Sequence, residues 1–173
     1  AVMADDAGAA RDTPPVLAID GLKTWFHTPD ATVHAVDGVS VEIARGEMVG
    51  VVGESGCGKS ITALSVMGLV PNPPGRIEAG SIRLHGRELV GLSERRLREL
   101  RGDRMSMIFQ EPMTSLDPVM RIGRQIAESL VLHRGMSMRA ALARAVELLD
   151  LVRIPEADRR ARAYPHQLSG GMR

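Results

Sequence analysis

Gly53-Glu54-Ser55-Gly56-Cys57-Gly58-Lys59-Ser60 fits the pattern G-x-x-x-x-G-K-[ST], whose fixed positions each meet a need of polyphosphate binding. Gly53, Gly56 and Gly58 let successive backbone N–H groups line an anion nest that Cβ atoms would obstruct. Lys59 brings a point charge to the β- and γ-phosphates, and the Ser60 hydroxyl is a candidate ligand for Mg²⁺. Ser55 is a further small loop position, and Ile61 offers its backbone N–H. Cys57 reads most simply as a small residue that fits the loop, with a redox role as the alternative.

Such a loop needs a buried strand before it and a helix after it, whose positive end faces the phosphates. Met48–Val52 is a continuous apolar run of the kind found in a strand buried on both faces. A helix is predicted from Lys59 to about Leu69, ended by Pro71, Pro73 and Pro74. Upstream, Val16–Asp20 and Leu22–Phe26 read as short β-runs split at Gly21, and Thr28-Pro29-Asp30 is a turn signal. Val39, Val41 and Ile43 alternate as in a half-exposed strand. Ile82 and Leu84 alternate before His85-Gly86, Ser93 is placed to cap a short basic helix through about Leu100, and Met105–Phe109 reads as another strand. From Ile122 onward the spacing turns helical. Ile122, Ile126 and Leu130 recur every four residues; Leu142, Val146 and Leu149 line one stripe, with Ala141, Ala145, Leu148 and Val152 beside it.

The 173 residues carry a net charge of +1, so no global field favours nucleic acid, and no nucleic-acid partner is expected. Arginines cluster at Arg95, Arg96, Arg98, Arg101 and Arg104, and again at Arg159, Arg160 and Arg162; both groups read as solvated helix faces. With 1 cysteine, an intramolecular disulfide and a cysteine-rich metal site are excluded. No apolar run approaches the roughly 18 residues of a membrane-spanning helix. Residues 1–15 lack the basic start and apolar stretch of a signal peptide and read as a disordered leader.

Two further strings narrow the class. Leu168-Ser169-Gly170-Gly171-Met172, after Tyr164-Pro165-His166-Gln167, resembles the LSGGQ-type signature of ATP-binding-cassette (ABC) proteins. Alone, Ser169-Gly170-Gly171 is a small-residue loop able to cap a helix and offer N–H donors to an anion. Met107-Ile108-Phe109-Gln110-Glu111-Pro112-Met113-Thr114-Ser115-Leu116-Asp117-Pro118 looks like that family's Q-loop. Together with the phosphate loop, the wording resembles the ATPase subunits of dipeptide, oligopeptide and nickel importers over residues 16–173.

The resemblance implies an α/β P-loop NTPase cassette, incomplete in this chain. A strand-rich P-loop core would occupy residues 16–118, and an inserted helical subdomain residues 119–173, ending in the signature. It implies ATP and Mg²⁺ as cofactors. Gln110 would touch Mg²⁺ or the attacking water. Phe26 aligns with the aromatic that stacks on adenine, although a core or edge-strand role competes and Trp25 is the alternative stacker. Ile61 departs from the threonine that many relatives place against the α-phosphate. The implied partners are a second cassette, whose Ser169–Gly171 stretch closes over this chain's nucleotide, and membrane permease subunits. That places the protein at the cytoplasmic face of the membrane.

In the family, the Walker B strand with its Asp and Glu, and then the switch histidine, come after the signature. Neither is found before Arg173, so negligible hydrolysis is expected of this chain alone, and ATPase activity coupled to transport of the complete protein. A central parallel sheet short of later strands would leave Met48–Val52 and Met105–Phe109 with unpaired edges and uncovered faces, hence a marginal or aggregation-prone product. Two other readings stay open: a non-catalytic fragment, and a soluble ABC protein of DNA repair or translation. The second usually brings tandem cassettes or coiled-coil inserts, and no heptad repeat is found here.

Overall fold

The computed structural model describes residues 14–109 and 115–173, and the chain divides into two compact units after Arg101. The expected leader, apart from residues 14 and 15, and Gln110 with the four residues after it lie outside the described residues.

The first unit is built on an antiparallel sheet of order β2-β1-β3-β4: β1 Leu17–His27, β2 Thr32–Ile43, β3 Gly75–Leu84 and β4 Arg87–Glu88. β1 sits between β2 and β3, pairing Leu17 with Ile43 on one side and with Leu84 on the other. The split expected at Gly21 is instead a bulge within one continuous strand. Gly21 has φ +56°, and both ladders shift register beside it. Gly80 faces it from β3, where a Cβ would lie 2.6 Å from the Gly21 carbonyl oxygen. The bulge resets the alternation of the strand, so that Ile19 before it and Leu22 and Thr24 after it are all buried, and Leu22 and Ile82 are wholly enclosed. The β1–β2 turn falls at Thr28, whose hydroxyl donates to the Ala31 carbonyl at 2.8 Å.

Helix α1, Lys59–Met67, lies against this sheet and contributes Ser65 and Met67 to its core. It ends two residues earlier than its apolar pattern suggests because Gly68 adopts the left-handed conformation (φ +63°), from which its N–H reaches the Ser65 carbonyl at 3.1 Å. The hairpin of β3 and β4 is held by Glu88. Its carboxylate accepts from the backbone N–H groups of Ile82, Leu89 and Val90 at 3.0, 3.1 and 2.9 Å, and from the Ser81 hydroxyl. Burial works to raise this carboxyl, but those four donors outweigh it and hold it below its ordinary value. Helix α2, Glu94–Leu100, starts after Ser93, whose side chain makes no capping bond; only its carbonyl takes part.

Two expected strands do not form. Met48–Val52 is irregular, with Met48 96% and Val52 60% exposed. In the second unit, residues 106–109 have no regular structure and Ile108 is 98% exposed. Apolar runs of this kind become strands only when neighbours satisfy their backbone groups on both edges, and no described strand lies beside either. The sheet observed is therefore wholly antiparallel, and the parallel sheet implied by the resemblance is absent from the described residues.

In the second unit, α3 Ile122–Arg134, α4 Met138–Leu151 and α5 Ala157–Ala161 pack around Ile122, Leu149, Ala161 and Leu168. Ser137 caps α4 through the Ala140 N–H at 3.3 Å. The buried stripe of α4 is Ala141, Ala145 and Leu149, whereas Leu142 is exposed. Small residues suit the inner face because α3 packs closely against α4 and buries an alanine of its own, Ala127. The basic helices carry mainly local ion pairs such as Arg98 with Glu94 and Arg162 with Asp158, as solvated faces do. Arg101 is the exception: its side chain is 16% exposed and is taken up by backbone carbonyls at the end of α1.

Candidate functional site: the glycine-rich loop and its supports

Gly56 and Gly58 hold φ +82° and +92°, a region that costs a side-chain-bearing residue roughly 1–2 kcal/mol. Gly58 has a second reason to lack a side chain, because a Cβ there would lie 2.2 Å from the Ala35 carbonyl oxygen of β2. At Gly53 a Cβ would meet the Cys57 sulfur at 2.6 Å. Cys57 is exposed, with its sulfur lying against Gly53.

Lys59 opens α1, and its ammonium arches back over the loop. Nζ donates to the carbonyls of Gly53 and Glu54, both at 2.7 Å, and to the Cys57 sulfur at 3.5 Å. The first intrahelical bond of α1 runs from the Thr62 N–H to the Gly58 carbonyl at 2.8 Å, and the Thr62 hydroxyl joins it at 3.0 Å. The amides of Lys59, Ser60 and Ile61 precede that bond, and the first turn carries no acidic side chain to compensate the positive helix end. Ser60 is exposed beside them. An ammonium, a run of helix-heading amides, an exposed hydroxyl and a wall too close for Cβ atoms together fit a polyphosphate. Among the described residues no cluster of three or more His, Cys, Asp or Glu could hold a metal alone, so a magnesium ion here would depend on Ser60 and on phosphate oxygens.

Supports for this loop come from residues that no motif marks. Thr24 on β1 and Ser65 on α1 are the buried polar side chains of the described core, 0% and 2% exposed, and their hydroxyl oxygens lie 2.9 Å apart. At the other end of α1, the Arg101 guanidinium donates to the carbonyls of Met67 and Gly68, each at 2.8 Å, and to Glu94 at 2.7 Å. Hydrogen bonding from Arg101 in turn holds the Glu94 carboxyl below its ordinary value. Nothing in the basic cluster Arg95, Arg96, Arg98, Arg101 and Arg104 marks which arginine would do this.

Phe26 is half-buried near the end of β1, opposite Val33 and Gly75, and a Cβ at Gly75 would lie 2.8 Å from its ring. Trp25 already has one face stacked on His34, with centroids 4.0 Å apart, so that face is closed to a ligand. In the second unit, Ser169, Gly170 and Gly171 are exposed, on and just before a 3-10 turn at Gly170–Met172. Ser169 stands at the capping position, but its side chain caps nothing; its carbonyl accepts from the Met172 N–H at 3.1 Å. The segment before it is fixed by Gln167, whose side-chain oxygen accepts from the Tyr164 N–H at 2.9 Å, and by burial of Leu168.

Comparison with known proteins agrees with this architecture. The family model described as "ABC transporter" matches residues 36–173. A putative peptide import ATP-binding protein of Brucella abortus (strain 2308) is 52% identical over 164 residues, covering 92% of this chain and 48% of that protein. The oligopeptide transport ATP-binding protein AppD of Bacillus subtilis (strain 168) is 50% identical over 158 residues, covering 91% and 48%. The chain thus spans about half the length of the curated relatives it matches. Among solved structures, the dimeric cassette MJ0796 superposes with a TM-score of 0.77 at 25% identity, covering 90% of this chain and 64% of that one; a related structure of the same cassette is described as bound to ADP and Pi. By its family match, by half-identity to curated relatives and by its fold, the chain belongs to the ABC transporter family.

Proposed function

We propose that this chain is the ATP-binding part of a subunit that powers import of peptides or a related solute across the cytoplasmic membrane. The observation that carries the proposal is the Lys59 ammonium, arched over the Gly53 and Glu54 carbonyls at the head of α1. Relatives named for peptide import supply the solute class. When bound, ATP supplies the phosphoanhydride whose cleavage drives transport. Gly53, Ser55, Gly56, Cys57 and Gly58 give it a backbone cradle, Lys59 and the amides of Ser60 and Ile61 compensate its charge, and Phe26 offers a face to adenine. Ser60 and Gln110 are the proposed magnesium contacts, Gln110 also being the proposed link to the attacking water.

The partners in this reading are a second cassette, toward whose nucleotide Ser169, Gly170 and Gly171 would face, and permease subunits docked on the helical unit. No described helix is long and apolar enough to cross a membrane, so attachment would be peripheral, through those subunits. Titration of the purified protein with MgATP and with MgAMP tests the reading. Binding of MgATP with far weaker uptake of MgAMP is expected, since the loop recognises β- and γ-phosphates. Equal affinity for the two, or no binding of either, would overturn it.

A further inference from the structure

We infer that the buried Thr24–Ser65 pair is a positioning device that sets the spacing between the base-binding strand and the phosphate-binding helix. This rests on the nucleotide reading above and adds residues that the loop motif does not contain. The Ser65 hydroxyl donates to the Ile61 carbonyl at 2.7 Å, one turn back along α1. A serine has one hydroxyl proton, so in its 2.9 Å contact with Thr24 it must be the acceptor and Thr24 the donor. The bonds therefore run in one direction, from Thr24 of β1 through Ser65 to the carbonyl of Ile61.

Both ends of that chain bear on the ligand. Ile61 directly follows Ser60 in the first turn of α1, and Phe26 lies two residues beyond Thr24, on the same strand. ATP would have to touch the strand with its base and the helix head with its phosphates. A fixed strand-to-helix distance favours a ligand that reaches both. Inorganic tripolyphosphate touches only the loop and is indifferent to that distance. Apolar packing between α1 and the sheet is shape-dependent but not directional, and two hydrogen bonds in series add a directional constraint on the strand-to-helix distance. Their complete burial excludes water as a substitute partner.

The test compares affinities for MgATP and for inorganic tripolyphosphate across variants of the purified protein, with the melting temperature of each. Thr24→Val keeps the shape and strand preference but removes the donor. It is expected to weaken ATP about three- to tenfold, the worth of one hydrogen bond, while tripolyphosphate stays within about twofold. Thr24→Ser restores the hydroxyl and should return the wild-type ratio. In Thr24→Val the Ser65 hydroxyl still donates to Ile61 but has lost its own donor. The double variant Thr24→Val with Ser65→Ala removes that buried acceptor as well, is expected to melt no lower than the single variant, and should lose ATP selectivity as the single variant does. A residue that only stabilises the fold would lower the melting temperature and shift both ligands alike, or neither; that result overturns the inference. So does a Thr24→Ser variant as impaired as Thr24→Val. A wild-type protein that binds neither ligand overturns the proposed function and the tether with it, which separates the two failures.

Discussion

A methyl group added at Gly58 would press on the Ala35 carbonyl oxygen 2.2 Å away, at a residue whose φ of +92° already disfavours any side chain. Gly46, at φ +76°, has open space around the same position. The pair separates steric contact from backbone strain. Gly46→Ala should cost about 1–2 kcal/mol from the backbone alone, and Gly58→Ala more, together with a loss of ATP binding that Gly46→Ala does not share. Thermal melts and ATP titrations of the two variants check this. At Lys59 the argument is one of charge. Lys59→Ala removes a charge-assisted contact of roughly 1.5–3 kcal/mol, so ATP affinity should fall about 10- to 150-fold in calorimetric titration with little change in melting temperature, because the side chain is bonded at the loop surface.

The hairpin of β3 and β4 shows how one side chain can organise an element. Because Glu88 collects four donors and its carboxyl sits below the ordinary 4.5, its contribution to stability is fully present above that value and is lost as the pH falls through the lower value of the folded protein. Glu88→Gln should therefore lower the melting temperature at neutral pH, and the two melting curves should converge at acid pH below the ordinary carboxylate range. This knot was not legible in the sequence, where Glu88 is one acid among many. Helix α1 was legible, since the loop pattern fixes its start and the prolines from Pro71 onward place its end within two residues of the one observed, although the cap at Gly68 itself went unread. So was the β1–β2 turn at Thr28. The inner face of α4 was read slightly off, at Leu142 rather than Ala141, because hydrophobicity alone cannot say that a neighbouring helix will demand alanines. Met48–Val52 misled for a related reason: its apolar run records a preference for burial, and burial needs neighbouring strands that a local pattern does not contain.

For the molecule as a whole, the unpaired runs have a physical cost. Met48, Val51 and Val52 in one unit, and Ile108 and Phe109 in the other, place apolar side chains in water. Val52→Thr combined with Ile108→Thr should reduce the emission of a hydrophobic dye and raise the concentration at which the protein stays monomeric, with the melting temperature within about 2 °C of wild type. Unchanged dye emission and unchanged self-association would show that these runs are not the sticky surface. The phosphate loop could be read from eight consecutive residues, but its supports could not: Thr24 and Ser65 are 41 positions apart, and only the folded sheet reveals that they meet. The lysine that crowns the loop also conceals something. By bridging the Gly53 and Glu54 carbonyls it hides two oxygen dipoles from the space that an anion would enter. Stripped of that one ammonium, the same rim would offer bare oxygen atoms and would suit a small cation better than a phosphate.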